Sequence, residues 1–467
     1  MFKNIYTLLF EDETVEKNTI DYVEIFKLPI EFIDDKIELN SNIITDLELL
    51  NTKEKHSLYY NLFAPKSLFS ITNLNLWSKY YTNNKTFLLE SQKLIKTFKD
   101  INFNNISTNS NLIEIEDDTI YEICSDIIED TGFIDKYHYI DLTLFKHLNN
   151  NEIVLQCLAF QNLSSPVLSL FIPFLTLLLP FFLIRFQGHK ITWKGYVFYL
   201  KSLFKNHIIG QFFNNFMNCP IEKKLYIIVS LFFYGFQIYN NINSCRTYYK
   251  NIKHIHDTLN TIKIYLAGTI VKIDNYLNYS SNLNTYTKFN DELIKYKTII
   301  EEYLNKLYKI KEYKLDLKKI LELGHLMKCF YILNNDNTLI DTIKFSFGFN
   351  GYINNLNNLQ IQIKKKNMNF CKFSNKSHTT FKKSYFAALV NENPIKNNIK
   401  LENNIIITGP NAAGKTTILK SVLFNVILSQ QLGCGFYSKA NIKLYDFIHC
   451  YINIPDTGDR DSLFQAE

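Results

Sequence analysis

The sequence contains little arginine, glycine or proline, and each scarcity narrows the class of protein that it encodes. Only Arg185, Arg246 and Arg460 are arginines among the 51 basic residues, and the 467 residues include 14 glycines and 9 prolines. So little glycine and proline excludes a collagen-like or low-complexity chain, and a hydrophobic share of 46% excludes intrinsic disorder. We therefore expect large buried cores in about two to four domains.

The cysteines show no pairing pattern. None of the eight forms a C-x-x-C motif, and no pair of histidines has metal-ligand spacing. The cysteines are Cys124, Cys157, Cys219, Cys245, Cys329, Cys371, Cys434 and Cys450. This spacing excludes a zinc ribbon or a disulfide framework and favours a reducing, intracellular compartment. The first ten residues lack a basic segment and precede Glu11-Asp12-Glu13, so we expect no secretory signal.

Lysine, asparagine, isoleucine, tyrosine and phenylalanine are abundant instead. These residues share AT-rich codons, so we interpret the excess as genome composition. A net charge of +6 is small for a chain of 467 residues, and it therefore says little about a polyanionic partner.

One segment is long and apolar enough to span a membrane. No charged residue lies between Val154 and Ile184, and residues 166–184 are almost wholly apolar. As a helix these residues would extend for about 28 Å, which is close to the hydrocarbon thickness of about 30 Å. Pro166, Pro173 and Pro180 recur within the segment and would each remove a backbone donor. A second apolar run, residues 225–239, is shorter and could span or belong to a core.

The stretch between the two apolar runs predicts a basic amphipathic helix on a membrane surface. Its apolar positions repeat at helical spacing and its lysines fall on the other face. The apolar positions are Trp193, Tyr196, Val197, Leu200, Leu203, Phe204 and Ile208. The positive-inside rule would place this loop in the cytosol and both termini opposite, which conflicts with a C-terminus that uses ATP. Three alternatives stay open: a re-entrant hairpin, an overridden charge rule, or a hairpin buried in a soluble protein.

The region that follows predicts long helices and then a strand. An apolar seam with 4-3-4-3 spacing is typical of a long packed helix. The seam consists of Phe289, Leu293, Tyr296, Ile300, Tyr303, Leu307 and Ile310. Alternation of Ile343, Phe345, Phe347 and Phe349 then predicts a half-buried strand, with a turn at Asn350-Gly351.

Residues 409–416 match G-x-x-x-x-G-K-[ST], the pattern of a nucleotide-binding P-loop. Upstream, residues 405–407 are three isoleucines that predict a buried parallel strand. Downstream, apolar residues at helical spacing predict a helix that ends at Gly433. Strand, loop and helix thus follow the order of a P-loop, in which backbone N–H groups surround the β-phosphate of a nucleotide.

Each residue of the loop has an expected role. The cofactor-binding residues are Gly409, Pro410, Asn411, Ala412, Ala413, Gly414, Lys415, Thr416 and Thr417. The two glycines avoid a side chain where the loop turns or meets phosphate. Lys415 neutralises the β- and γ-phosphate oxygens, and the Thr416 hydroxyl contacts Mg²⁺. We therefore predict ATP and Mg²⁺ as cofactors.

The residues around this loop resemble the MutS family of DNA mismatch repair ATPases. The run from Thr408 to Thr417 reads TGPNAAGKTT, residues 431–436 read QLGCGF, and residues 462–467 read SLFQAE. The resemblance is tight over residues 395–467 and loose from residue 246, where the helices look like the family's lever and clamp. The hydrophobic hairpin is similar to a membrane-bearing branch of MutS-like ATPases.

The resemblance implies a DNA-binding ATPase that dimerises through its ATPase domains and changes conformation with ATP. In the family, the serine of the loop near residue 462 reaches the nucleotide of the partner subunit, and this role would fall to Ser462. Arg460 lies beside it and could act as an arginine finger, or it could be an ordinary solvated charge. The chain has no Phe-x-Glu motif, with which mismatch sensors of the family contact a mispaired base.

The expected fold class is an α/β P-loop NTPase domain, incomplete at its end, preceded by a mainly helical lever region and a hydrophobic helical hairpin. We divide the chain into residues 1–150 of unknown role, 151–245 as the hairpin, 246–335 as the lever, and 336–467 as the first part of the ATPase domain. No apolar run ending in Asp-Glu follows Lys415, so we expect no ATP hydrolysis by this chain alone.

Two other functions stay open. The first is a membrane-tethered P-loop nucleotide switch that controls assembly without reading DNA, with the membrane contacts in residues 166–184 and 225–239. The second is a structural scaffold whose P-loop binds nothing.

Overall fold

The computed structural model describes residues 24–50, 57–100, 115–188, 192–206, 220–311, 322–374, 378–410 and 413–452. These residues are mostly helical with small sheets, and they separate into two compact units. Unit 1 takes its residues from Met1–Ile128, Thr261–Asn305 and Asn335–Glu467, and unit 2 from Glu129–Asn260 and Lys306–Asn334. Each unit combines stretches that are distant in sequence, whereas the four predicted regions are consecutive.

The first part of unit 1 consists of short helices and a pair of strands. The helices are α1 (Ser41–Asp46), α2 (Leu58–Phe63), α3 (Leu68–Thr72), α4 (Leu74–Trp77), α5 (Lys85–Thr97) and α6 (Asp117–Ile128), and β1 (Lys36–Glu38) pairs antiparallel with β2 (Tyr80–Thr82). Four of these helices begin at a side chain that accepts a hydrogen bond from the first turn, which satisfies an otherwise unpaired N–H group. The capping residues are Asn40, Ser57, Ser67 and Asn84.

The middle of the chain forms one helix of four residues followed by longer helices. They are α7 (Phe133–Lys136), α8 (Glu152–Phe186), α9 (Trp193–Asn206), α10 (Ile221–Ser280), α11 (Thr287–Leu307) and α12 (Leu323–Asn335). The predicted amphipathic helix is confirmed as α9 as far as Asn206, and Ile208 lies outside the described residues. The predicted seam is confirmed along α11, where Phe289, Leu293, Ile300 and Tyr303 are buried.

The last part of unit 1 contains two helices and two sheets. The helices are α13 (Asn337–Lys364) and α14 (Lys415–Leu432). The strands are β3 (Asn369–Phe370), β4 (Lys372–Phe373), β5 (Thr379–Ser384), β6 (Asn397–Leu401), β7 (Cys434–Gly435) and β8 (Lys439–Ile442), with β3 paired to β7 and the other four in the order β4-β8-β5-β6. Phe381, Ala440 and Ile442 on the inner face of the larger sheet pack with Val426 of α14.

The predicted strand at residues 343–349 and the predicted turn at Asn350-Gly351 are wrong, because both lie inside α13. Every residue from Phe345 to Ile353 of this helix is buried, so the helix has no polar face and the sequence shows no helical period. Gly348 and Gly351 allow the early part of the chain to approach closely. A Cβ atom on Gly351 would lie 2.4 Å from the Phe69 carbonyl oxygen.

Two helices of the described chain are long and apolar enough to cross a membrane. They are α8, which contains residues 166–184, and α10, which contains residues 225–239. Only 17% and 6% of the residues in their most apolar windows are buried. The window on α8 lies within Glu152–Phe171, so it overlaps only the first part of residues 166–184.

Candidate nucleotide-binding site

The described part of the loop before α14 ends in a left-handed glycine at the start of the helix. Gly414 caps the helix in the left-handed region with φ +87°, and nothing lies within 4 Å of the position where a Cβ atom would be. The turn is closed by the N–H of Ala413, which donates to the carbonyl of Pro410 at 3.3 Å. The first turn of α14 contains no acidic residue. Its unpaired N–H groups and the helix dipole therefore favour an anion at this end.

Lys415 and Thr416 lie at this helix end in positions that suit their predicted roles. The Lys415 ammonium donates to the carbonyl oxygens of Gly409 and Pro410, each at 2.7 Å. These contacts fold the side chain back over its own loop, so the charge lies where the phosphates are expected. Thr416 is exposed and Thr417 is half-buried. The residues present therefore fit a nucleotide phosphate group with its Mg²⁺ ion.

Four predicted site residues cannot be placed by the structure. Asn411 and Ala412 of the loop, and Arg460 and Ser462 near the end of the chain, lie outside the described residues. Within the described part of the chain, no group of three or more His, Cys, Asp or Glu side chains could hold a metal ion. The hydroxyl of Thr416 therefore stays a predicted contact to a nucleotide-bound Mg²⁺ ion.

The segment before the loop differs from the prediction. Residues 405–407 are not a strand, and Ile405 and Ile406 are 51% and 89% exposed. A strand needs a hydrogen-bonded neighbour, and none of the described strands pairs with this segment. Instead Ile405 and Ile407 border an apolar groove of about 520 Å³, together with Ile418, Leu419 and Val422 of α14. The apolar face that the sequence predicted for this helix thus lines a groove at its first half.

The second half of α14 is buried, and its glutamine side chains make hydrogen bonds to other segments. These glutamines were not among the predicted site residues. Gln431 donates to the carbonyls of Trp77 and Tyr80, each at 2.8 Å, and accepts from the Tyr59 hydroxyl at 2.8 Å. Burial raises the pKa of the Tyr59 hydroxyl, which therefore stays protonated as a donor. Gln430 donates to the carbonyl of Thr82 at 3.0 Å.

The helix ends where it was predicted to end. Gly433 caps α14 with φ +71°, and its N–H donates to Ser429. Gln92 of α5 donates to the Gly433 carbonyl at 2.8 Å. The helix that begins at the candidate phosphate site is therefore fixed at its other end to residues of the first hundred. Polar residues at buried positions of a helix need hydrogen-bond partners, so they are the signal in the sequence that could have predicted these bonds to the first hundred residues.

A second feature of unit 1 is a basic outer face on the larger sheet. Lys382 of β5 lies directly opposite Lys439 of β8, and Lys400 of β6 lies opposite Thr380. Lys372 and Lys443 are exposed on the adjoining strand β4 and just after β8. Of the lysines on this face, Lys400 pairs with Glu402. Like charges directly opposite each other destabilise a sheet, so the pair Lys382 and Lys439 favours an anionic partner.

No protein-family model matches the chain, and no curated protein matches it.

Proposed function

We propose that this chain is a MutS-like ATP-binding protein, in which nucleotide at residues 409–417 changes the conformation of unit 1. One observation carries the nucleotide site: α14 starts at Lys415, behind a left-handed glycine, with the lysine ammonium held over the loop. A sequence motif could occur by chance, but this backbone and this charge at a helix N-terminus suit phosphate.

The proposed roles follow from the geometry and the resemblance. The loop N–H groups and Lys415 would hold the β- and γ-phosphates, and Thr416 would contact Mg²⁺. The metal ion would neutralise phosphate charge. Ser462 and Arg460 would act on the nucleotide of a partner subunit in a dimer.

The test is thermal unfolding with and without Mg-ATP. A ligand that binds only the folded state stabilises it by an amount that grows with its concentration. We expect a higher midpoint with Mg-ATP for the unmodified chain and no shift for Lys415→Ala. Lys420→Ala is the control, because Lys420 lies on the same helix and only pairs with Glu48 at 3.4 Å. An equal shift in both variants would disprove the site.

A separate measurement tests the partner-subunit role. If Arg460 supplies charge to a neighbour's nucleotide, mixing an Arg460→Lys chain with a competent partner should lower ATP turnover by about 10³-fold or more, because arginine fingers contribute roughly 10³–10⁵-fold to the rate. Unchanged turnover would remove Arg460 from the proposal and leave Lys415 untouched.

DNA is the proposed partner, and the basic sheet face supports it. Duplex DNA releases counterions when lysines approach its phosphates, so affinity falls steeply with salt. We expect the double variant Lys382→Ala/Lys439→Ala to bind duplex DNA more weakly and with a smaller salt slope, by about two units. Lys295→Ala serves as the control because Lys295 lies on α11. An unchanged slope would exclude this face.

The second candidate function is a membrane-tethered nucleotide switch, favoured by the two exposed apolar helices. It differs from the first because it requires no DNA. Alkaline carbonate extraction separates membrane-embedded from soluble protein: retention in the pellet supports the tether, and release into the supernatant overturns it.

A further inference from the structure

Helices α8 and α10 expose large apolar side chains that water solvates poorly. Phe171, Phe182 and Phe186 of α8 are each more than half exposed, as are Phe232, Phe233 and Phe236 of α10. Contiguous apolar surface of this kind marks a contact with protein or with lipid.

The distribution of this surface around α10 distinguishes between the two. Ile227 is buried, and Leu231, Tyr234 and Ile238 are half-buried, which defines one seam. The apolar residues between these positions are exposed on both sides of the seam. A single partner helix would cover one further stripe, whereas lipid hydrocarbon covers all the remaining surface at once.

Two backbone carbonyl groups of α8 lack their helical hydrogen bond, and inside a membrane each would need a hydrogen-bond donor from the protein itself. Because a proline has no N–H, Pro166 and Pro173 leave the carbonyls of Asn162 and Ser169 without their helical donors. Water would satisfy such a carbonyl in a soluble helix. In hydrocarbon each unpaired group costs several kcal/mol.

Both carbonyls have a side-chain donor in the structure. The Ser165 hydroxyl donates to the Asn162 carbonyl at 3.0 Å. The Tyr234 hydroxyl of α10 lies 3.3 Å from the Ser169 carbonyl oxygen and 3.4 Å from that of Leu170. The half-buried seam of α10 therefore brings a donor to the gap that Pro173 opens in α8.

The ends of the exposed section also suit a bilayer. Tyr226 and Tyr239 are both exposed on α10 and lie about 20 Å apart along the helix, which is less than the hydrocarbon thickness of about 30 Å. This section therefore enters the hydrocarbon without spanning it. Tyrosine is enriched where hydrocarbon meets headgroups. Lys223 and Lys224 precede this section and would lie near the headgroups.

We propose that residues 166–184 of α8 and the part of α10 from Leu225 to Tyr239 form a hairpin embedded in lipid hydrocarbon, with the Tyr234 hydroxyl closing the carbonyl that Pro173 frees. The occupant of the apolar surface is the acyl-chain region of a bilayer. This inference rests on the membrane-tethered candidate above and is independent of the nucleotide site.

The lipid contact is tested by fluorescence in vesicles of phosphatidylcholine brominated on its acyl chains. The full chain carries Trp193→Phe, with Phe232→Trp as the probe and Lys250→Trp as the control on the same helix. We expect at least twofold quenching of the probe and none of the control, each relative to the Trp193→Phe parent. Equal quenching of both, or none of either, overturns the proposal.

The role of Tyr234 is tested by hydrogen exchange of the α8 backbone in the same vesicles. We expect Tyr234→Phe to raise exchange of residues 167–186 about tenfold, the effect of losing roughly one hydrogen bond. Pro173→Ala restores the missing N–H, so Tyr234→Phe in that background should change exchange less than twofold. Tyr226→Phe is the control, because it removes an exposed hydroxyl of the same helix.

A Tyr234→Phe effect of equal size in both backgrounds would overturn the assigned partner. Failure of either test leaves the Lys415-dependent ATP shift unaffected, so the lipid and nucleotide proposals fail separately.

Discussion

At the scale of single residues, the close approaches in this protein depend on the absence of side chains. Gly351 lies inside α13, where helix propensity alone would disfavour glycine by about 1 kcal/mol. Glycine is needed at this position because α3 passes very near. A Cβ atom would lie 2.4 Å from the Phe69 carbonyl oxygen and 2.6 Å from its carbonyl carbon. Backbone atoms cannot move aside as the tip of a flexible side chain can.

We expect Gly351→Ala to destabilise unit 1 by about 1–3 kcal/mol or more, because the methyl group overpacks a rigid contact. Urea unfolding of the two proteins measures the difference. Gly235→Ala is the control: this glycine is also helical, but nothing lies within 4 Å of its Cβ position. A neutral Gly351→Ala would show that α3 can shift away from α13.

His325 in unit 2 is the residue whose protonation we expect to affect stability near neutral pH. The Cys329 thiol, the Lys306 carbonyl and Glu152 all face its ring and raise the pKa of His325 to about 9. Lys328 also faces this cluster and pairs with Glu152 at 3.1 Å. Because the folded-state pKa lies above the ordinary value near 6.5, the protonated ring stabilises the folded state.

This stabilisation is complete below about pH 6.5 and is lost as the pH rises through about 9. We therefore expect unit 2 to unfold more readily at pH 9.5 than at pH 6.5, and His325→Gln to flatten that dependence. Thermal unfolding across this range measures it. The same pH profile in both proteins would assign the dependence to another group.

At the scale of elements, α14 links the candidate phosphate site to the first part of the chain. Its first residue carries the ammonium above the loop, and Gln431 in its last turn bonds to Tyr59, Trp77 and Tyr80. A helix of 18 residues is stiff over that length. A movement of Lys415 on nucleotide binding would therefore be transmitted to β2 and α2.

We expect Gln431→Leu to cost several kcal/mol, because it leaves one donor and two carbonyls buried and unpaired at about 1–3 kcal/mol each. Tyr59→Phe removes one hydrogen bond from the same group and should cost about 1 kcal/mol. Denaturant unfolding provides both values. Similar costs for the two variants would indicate that water replaces Gln431.

At the scale of the whole molecule, the interleaving of the chain decides what can fold alone. The predicted ATPase region, residues 336–467, belongs to unit 1 together with residues of Met1–Ile128 and Thr261–Asn305. Helix α13 is buried along most of its length against these earlier segments. A break at residue 335 would therefore expose a large apolar surface.

We expect the isolated fragment 336–467 to show no cooperative unfolding transition by circular dichroism, since its core partners are missing. The full chain is the reference and should unfold cooperatively. A fragment that unfolds cooperatively at a similar midpoint would support the consecutive domain division that the sequence predicted.

Local signals sufficed wherever a structure depends on neighbours in sequence. The presence of a helix after the loop, its end at Gly433 and the apolar lengths of α8 and α10 could all be predicted, because caps and hydrophobic runs act within a few residues. The predicted strand at residues 405–407 is absent, because a strand must pair with a second strand that is distant in the sequence, and local signals do not reveal such a partner. The strand at residues 343–349 failed because a helix buried on all sides has no period.

The sequence by itself determined the G-x-x-x-x-G-K-[ST] motif, its placement at the start of a helix, and the apolar segments. Only the tertiary structure decided that Gln92 and Gln431 hold this helix to the first hundred residues, and that Tyr234 lies beside the carbonyl freed by Pro173. The reason is that a hydrogen bond between distant segments depends on how helices pack. Spacing along the chain records which side of a helix is apolar, but not which segment will cover it.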